Sequence, residues 1–366
     1  MIRAVQAPFV IALLVAAILV PGRARASDYA DFRDWHVACD NLRNCVATGG
    51  DGASEGAYLR IARGGAADAA PSIAIVVSVE AGQRFTLRFN EAALPGLPDT
   101  PLEGTPDASG DYRRVVLSDT VSPATLIAAF RKADSIRVTR APAPRKDSNV
   151  SETSDISLLG LVASLLWMDD EQKRVDTVTA LIRPGSKPAS AVPPRSAEPV
   201  IVRPRPTLAK VPDKAPPSLV KKGRALCEEE DPNSKLEQTY PLAGNQLLYL
   251  FSCPDSSGAY NAYYGMLAAP AGKPQAARAL SFAWPVQVGD TVHDADEPTL
   301  ATNPLFDPKT GTLTTLSKGR GLGDCGTGEE WLWDGTRFRL VQLKMMVHCR
   351  GIPYEDWPIL YRAAVK

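Results

Sequence analysis

The chain has 366 residues, with 41 Lys and Arg against 41 Asp and Glu, 45% hydrophobic residues and six cysteines. Balanced charge argues against a general nucleic-acid binder, which needs a basic surplus or stripe. The length accommodates two domains of ordinary size.

Residues 1–26 read as a secretion signal. Arg3 supplies the positive start, Phe9 to Val20 is apolar, and Ala24-Arg25-Ala26 is a small-x-small cleavage site. The apolar run is too short to span a bilayer. No cysteine follows the cleavage point to carry a lipid, and the signal has no twin arginine. Removing Arg3, Arg23 and Arg25 with the signal leaves 38 basic and 41 acidic residues, a net charge near −3. No later stretch matches a transmembrane run of about 18 apolar residues. A periplasmic or secreted mature chain without a membrane span is therefore expected.

The mature chain opens with a strand over Phe32 to Cys39, with a small irregularity after Phe32, then a polar turn over 40–44 and a return at Cys45. Further strands are expected over Ala57–Arg63, Ile73–Val79, Arg84–Phe89 and Tyr112–Leu117, with a proline-rich loop over Leu94–Gly110. A helix follows. Ser122 is placed to cap it, Pro123 suits its first position, and Leu126, Ile127 and Phe130 form one apolar stripe. Ile136–Val138 alternates as a short strand, and Ala141–Ser154 reads as loose. A second helix starts near Ser157 with Asp155 as a candidate cap. Its run Leu158–Met168 is apolar nearly all round, which predicts burial.

Residues 184–217 hold ten prolines, six basic and two acidic side chains. That composition predicts an extended, solvated linker; a partner or anionic polymer is the less economical reading. Beyond it, short strands are expected over Gln246–Cys253, Ala259–Ala268, Ala279–Trp284, Thr312–Leu316, Trp331–Trp333, Arg337–Val347 and Ile359–Ala363. No helix there shows convincing caps.

Gly319, Gly321, Gly323, Gly326 and Gly328 superficially resemble a phosphate cradle. A dinucleotide loop opens a helix, whereas here a strand and Asp334-Gly335 follow. That pair suits a type I′ hairpin turn, with Trp331 and Trp333 alternating before it and Phe338 and Leu340 after it. The six cysteines pair most economically as Cys39–Cys45, Cys227–Cys253 and Cys325–Cys349, since short loops close at lower entropic cost. None lies in a Cys-x-x-Cys motif.

Four stretches resemble the DUF1176 family of exported bacterial proteins of unknown function. They are Phe32-x-x-Trp35-x-x-x-Cys39, the Leu158–Arg174 run with its Leu-Trp-Met-Asp-Asp-x-Gln core, Gly319-Arg-Gly-Leu-Gly-Asp-Cys-Gly326, and Cys349-Arg350-Gly351 with Trp357. The segment from Asp34 to Cys45 is also similar to the start of invasion-associated locus B proteins. The resemblance implies export to the periplasm of Gram-negative bacteria and supplies no reaction. Members often carry glycine near the Gln-x-Arg step, where this chain has Lys173 and Asp176.

Chemistry is sparse. His36, His293 and His348 show no metal-ligand spacing. The groups Asp169, Asp170, Glu171 and Asp290, Asp294, Asp296, Glu297 could hold a hard cation, but read as solvated acidic turns. No cofactor and no metal are expected. Adjacent Asp169 and Asp170 diverge by about 100° on a helix, poor geometry for paired-carboxylate glycoside hydrolysis. No Gly-x-Ser-x-Gly elbow is present. The candidate ligand residues are Arg320, Asp324, Arg350, Trp331, Trp333 and Tyr354. The Cys325–Cys349 bridge would bring Asp324 and Arg350 within ion-pair reach. The aromatics would form a face for a sugar or peptide, or fill the core, as their alternation favours.

The expected architecture is a signal peptide (1–26), an α+β domain of antiparallel strands with two helices (27–183), a proline-rich linker (184–220) and an all-β sandwich or small barrel (221–366). The expected function is a non-catalytic envelope or ligand-binding module, recognising an envelope component or small ligand. The alternative is a periplasmic hydrolase with scattered active-site residues.

Overall fold

Alternation along the early strands decides the first layer of the fold. In a computed structural model of the chain, residues 29–366 are described except 51–55, 91, 94–95, 98–99, 143–151, 206–208, 228–230 and 289–299. The expected signal and the acidic group around His293 lie outside the described residues. The first strands are β1 (Tyr29–Phe32), β2 (Trp35–Cys39), β3 (Cys45–Gly49), β4 (Ala57–Arg63), β5 (Pro71–Ser78), β6 (Phe85–Phe89), β7 (Thr105–Pro106) and β8 (Tyr112–Val116). After them come α1 (Pro123–Phe130), β9 (Ser135–Arg140), β10 (Glu152–Ser157) and α2 (Leu161–Glu171). An antiparallel sheet runs β1-β2-β3-β4-β5-β8-β7, and a smaller one runs β10-β9-β6. Trp35, Val37, Leu59, Ile61, Ile73 and Ile75 share one core with Leu126, Phe130, Leu165 and Met168 of the helices. The opposite sheet face carries His36, Thr48, Tyr58 and Val76, all buried.

Three local readings change. The strand expected over Phe32–Cys39 is a hairpin turning at Arg33 and Asp34, with Phe32 paired to Trp35 and Arg33 at φ 55°. Asp155 is no helix cap. It lies in β10, registers with Arg137 of β9 and accepts from that guanidinium Nε at 3.0 Å. The helix starts after Gly160, at φ 105°, where an added Cβ would meet the Phe32 carbonyl oxygen at 1.8 Å. Finally, α2 is not buried all round. Leu161, Leu165 and Met168 face the core, while Val162 and, just before the helix, Leu159 are exposed, because only one face of the helix packs on β1, β2 and β3. Ser122 does cap α1, accepting from the Thr125 N–H at 3.2 Å.

The turn after α2 puts Lys173 at φ 58° and Asp176 at φ 64°. Left-handed backbone is costly for residues with a Cβ. Replacing both by glycine is expected to leave stability unchanged or raise it by up to about 1 kcal/mol, against the usual penalty for glycine. Urea midpoints would check this, and a clear loss would show that the Lys173 or Asp176 side chain matters more than the backbone.

The remaining elements are β11 (Val200–Ile201), α3 (Pro217–Arg224), β12 (Lys235–Leu242), β13 (Gln246–Ser252), β14 (Tyr263–Pro270), β15 (Arg278–Ala279), β16 (Ala301–Thr302), β17 (Leu305–Asp307), β18 (Thr312–Lys318), β19 (Gly326–Trp333), β20 (Phe338–Met346), β21 (Ile359–Arg362) and β22 (Ala364–Val365). One antiparallel sheet runs β12-β13-β14-β15 with β16 on β14, and another runs β17-β18-β19-β20-β21. Leu248, Leu250 and Met266 of the first meet Leu313, Trp331, Trp333 and Leu343 of the second in a shared core. The outer face of the first sheet is covered by α3, a helix the sequence reading missed. Leu219 is buried there, and an added Cβ at Gly223 would enter the Phe251 ring. The chain is thus mostly β, with three α-helices among the described residues.

The proline-rich stretch is not the solvated spacer its composition suggests. Val192, Ile201 and Ala209 are buried. β11 pairs in parallel with the terminal β22, and Arg43 donates to the Pro193 and Pro194 carbonyls. Proline lacks an N–H but keeps its acceptor, so such a stretch can dock through carbonyls.

The hairpin after β19 also differs. Trp333 pairs with Phe338, leaving a four-residue loop over 334–337, and only Gly335 of the Asp-Gly pair has positive φ. The Asp334 carboxylate accepts from the Thr336 and Arg337 N–H groups, both at 2.9 Å. That side-chain turn replaces type I′ geometry. No helix among the described residues is long and apolar enough to cross a membrane.

Candidate functional site

Three disulfides form as the spacing suggested: Cys39–Cys45, Cys227–Cys253 and Cys325–Cys349. The last anchors the glycine-rich loop between β18 and β19. Only Gly323 and Gly326 of its five glycines have positive φ. At Gly328 the need is space, since a Cβ would lie 2.4 Å from the Tyr354 ring.

Asp324 is 3% exposed and fully engaged. Arg320 donates to it twice, at 2.7 and 2.6 Å, and the Gly351 N–H donates at 2.7 Å. Burial pushes this carboxyl up, but the Arg320 and Gly351 hydrogen bonds outweigh it and hold it below its ordinary value. The expected Asp324–Arg350 ion pair does not form. Arg350 turns away and donates to the Arg33 carbonyl at 2.8 Å, because the Gly351 backbone already fills the carboxylate's free side. Asp324 also clusters with Cys325 and Cys349, but their sulfurs are spent in the bridge.

The aromatic candidates divide. Trp331 and Trp333 are each 1% exposed and belong to the core, where Trp331 packs against Phe282 and Trp333 against Phe338. Tyr354 meets Trp357 edge-on at 5.1 Å, and the Lys344 ammonium sits 4.5 Å from its ring centre.

Sequence reasoning missed a polar seam between the early and late parts of the chain. At one end Asp31 accepts from His36 Nδ1 at 3.0 Å and faces His348 Nε2 at 3.2 Å. Burial raises the Asp31 carboxyl, but the His36 hydrogen bond and the attraction of His36, His348 and Arg350 leave it lowered. At the other end Asp356 accepts from Arg114 at 2.7 and 2.6 Å and from the Tyr58 hydroxyl, with Arg60 Nε at 3.5 Å. Cross-strand register lines up Asp31, His36, Thr48 and Arg60 between these ends. Partners separated by some 300 positions leave no local sequence signal. Asp169 and its neighbours form a third polar centre inside the first core.

Glu329 is a half-buried titratable group at the edge of the second core. It accepts from Trp284 Nε1 at 3.2 Å and from the Thr315 hydroxyl, and the Trp331 indole lies close without meeting hydrogen-bond geometry. Burial raises its carboxyl against these donors. An acid whose folded pKa is raised is neutral below the unfolded value, so it costs no stability there; the penalty grows as pH rises above that value. Glu329→Gln keeps the Trp284 bond on its amide oxygen, turns its NH2 to donate to the Thr315 hydroxyl, and removes the penalty. It is expected to melt with the parent at pH 4 and several degrees higher at pH 7. Equal melting at both values would place a full charge comfortably at this edge of the core.

A cleft of about 220 Å³ opens beside that core. It is lined by the Pro199–Ile201 segment, the 281–285 segment, the 337–340 end of β20 and Tyr361.

A family model described as protein of unknown function (DUF1176) matches residues 29–364. The uncharacterized protein YpfG of Escherichia coli (strain K12) is 31% identical over 343 residues, covering 90% of this chain and 91% of that one. No solved structure matches.

Proposed function

The chain belongs to the DUF1176 family of proteins of unknown function, and on that premise we propose that it is an exported, non-catalytic binding module of the cell envelope. The carrying observation is where the ionisable side chains go. Around the bridged loop and along the seam, Arg320, Asp324, Asp31, His36 and Asp356 spend their charges on one another and on backbone groups. A catalytic array instead needs a nucleophile, a base and an orienting group converging on open space. Asp31–His36 comes nearest to an acid–base pair, yet His36 is 1% exposed and no serine or cysteine partners its other nitrogen among the described residues.

The disulfides support an oxidising compartment, and the Ala24-Arg25-Ala26 site supports cleavage before Ser27. The proposed plan is an α+β unit over 27–183, a connecting stretch over 184–220 and a β unit over 221–366. Two large cores support it, one built from residues before the stretch and the other, apart from Ala38 and a bordering Tyr29, from residues after it begins. The test takes protein from the periplasm, sequences its N-terminus, records a native mass spectrum, and assays chromogenic ester, phosphate, glycoside and peptide substrates. Ser27 at the start, a releasable small molecule and no turnover are expected. Turnover abolished by His36→Ala would replace this reading with a hydrolase.

A further inference from the structure

The cleft beside the second core is built for a ligand of one charge. Arg337 and Arg339 line it, and among the described residues none of its lining is acidic. In a chain with equal numbers of acidic and basic residues, that local excess is specific to the place. The Arg337 guanidinium has no partner among the described residues. Among the described residues the carboxylate that Arg339 meets is Asp334, at 4.0 Å, and that carboxylate is already occupied by its own turn. Two guanidinium groups at the mouth therefore keep unused donors.

The interior is apolar. Its lining includes the buried Leu340, Trp284 and Tyr361 and the exposed Val200, which is 49% accessible. Trp284 is held in place from behind by Glu329, so this wall is set before any ligand arrives. The wall bearing Val200 is fixed too, through β11 pairing with β22. A volume of about 220 Å³ holds about seven waters, or an alkyl chain of about as many carbons. Guanidinium forks match planar carboxylates in two-point hydrogen bonds.

We infer that this cleft binds an organic anion: an alkyl carboxylate of medium length, its head on Arg337 and Arg339 and its tail against Trp284, Leu340 and Val200. The inference rests on the binding-module reading and names its ligand class. A carboxylate alone would leave the apolar lining wet, and a neutral alkane would leave the arginines unanswered. Both halves of the ligand are required.

The test is calorimetric titration of the mature protein with octanoate, octanol and acetate. Octanoate is expected to bind at least about tenfold more tightly than either of the others, as two charge-assisted hydrogen bonds plus apolar burial require. The Arg337→Ala/Arg339→Ala double variant is expected to lose about that factor for octanoate while melting like the parent, since both side chains are exposed. Val200→Asp, which sets a carboxylate on the exposed wall, is expected to weaken octanoate similarly. Equal binding of octanol and octanoate would overturn the inference, as would undiminished octanoate binding by the double variant. If octanoate fails while native mass spectrometry shows a different bound molecule, the ligand class falls and the binding module stands. If neither is seen, both fall.

Discussion

Asp169→Ala is expected to destabilise the protein by about 3–5 kcal/mol, the cost of leaving a buried charge without its partner. Asp169 is fully buried in α2. Its carboxylate accepts from Arg63 Nη1 at 3.1 Å and from the Leu181 and Ile182 N–H groups at 2.7 and 3.0 Å. Burial pushes this carboxyl up and lowers the Arg63 guanidinium to about 10, so Arg63 stays charged at neutral pH. Alanine would strand that charge and orphan two backbone donors at once. The nearest side-chain acceptor is already taken, since Gln172 Oε1 accepts from Arg174 Nε at 3.0 Å, and the other Arg63 nitrogens are held by the Ala69 and Thr179 carbonyls. Asp169→Asn, which keeps an acceptor but loses the charge, should fall between parent and alanine. Urea unfolding of the three proteins measures the series. An alanine variant with the parent midpoint would mean that Arg63 finds water, and that the Asp-x-x-Gln-x-Arg run is not a structural lock.

That run shows what the sequence could and could not disclose. Its residue types were visible, but an adjacent acidic pair at a helix exit reads as solvated until one knows what folds over it. Here the 63–67 and 179–182 segments close over Asp169 and leave Asp170 outside. Signals confined to one turn were legible. Ser122-Pro123 starts α1 because cap and first position are local chemistry. The alternation around Trp331 and Trp333 correctly predicted core positions. Composition misled where tertiary contact decides. The proline-rich stretch docks through its carbonyls, and Asp155 has the local look of a cap yet pairs across strands with Arg137. Asp334-Gly335 has the composition of a tight turn, but the Asp334 side chain takes two backbone donors and widens the loop. The seam was invisible, because Asp31 and His348, or Arg114 and Asp356, meet only after both parts of the chain have folded. The arginines of the cleft were likewise read only as strand residues.

The seam makes the second large prediction. Asp356→Ala is expected to cost about 2–5 kcal/mol, as for truncating one partner of a buried, hydrogen-bonded charge pair, and to uncouple the two parts of the chain. Asp356 supplies the carboxylate on which Arg114, Arg60 and the Tyr58 hydroxyl converge. All three belong to the early sheet, while Asp356 follows β20. Burial, then the Asp356 charge, pushes the Tyr58 hydroxyl upward, so it remains a donor throughout the usual pH range. Around this point Tyr58 and Val76 pack with Met346, Ile352 and Trp357 in a small shared cluster, much smaller than the cores on either side. Ala38 and Tyr29 also pack on the second core and Arg362 donates to Asp40, and the Asp356 pairs are expected to carry the larger part of the coupling. Calorimetry of the parent should therefore show one transition, and that of Asp356→Ala two, with the lower one shifted down. Asp356→Asn, still able to accept from Tyr58, should lie between. If the alanine variant melts in a single unshifted transition, the remaining contacts couple the parts and the Asp356 charge pairs do not. If the parent itself melts in two, the units are independent and the seam is a contact of convenience.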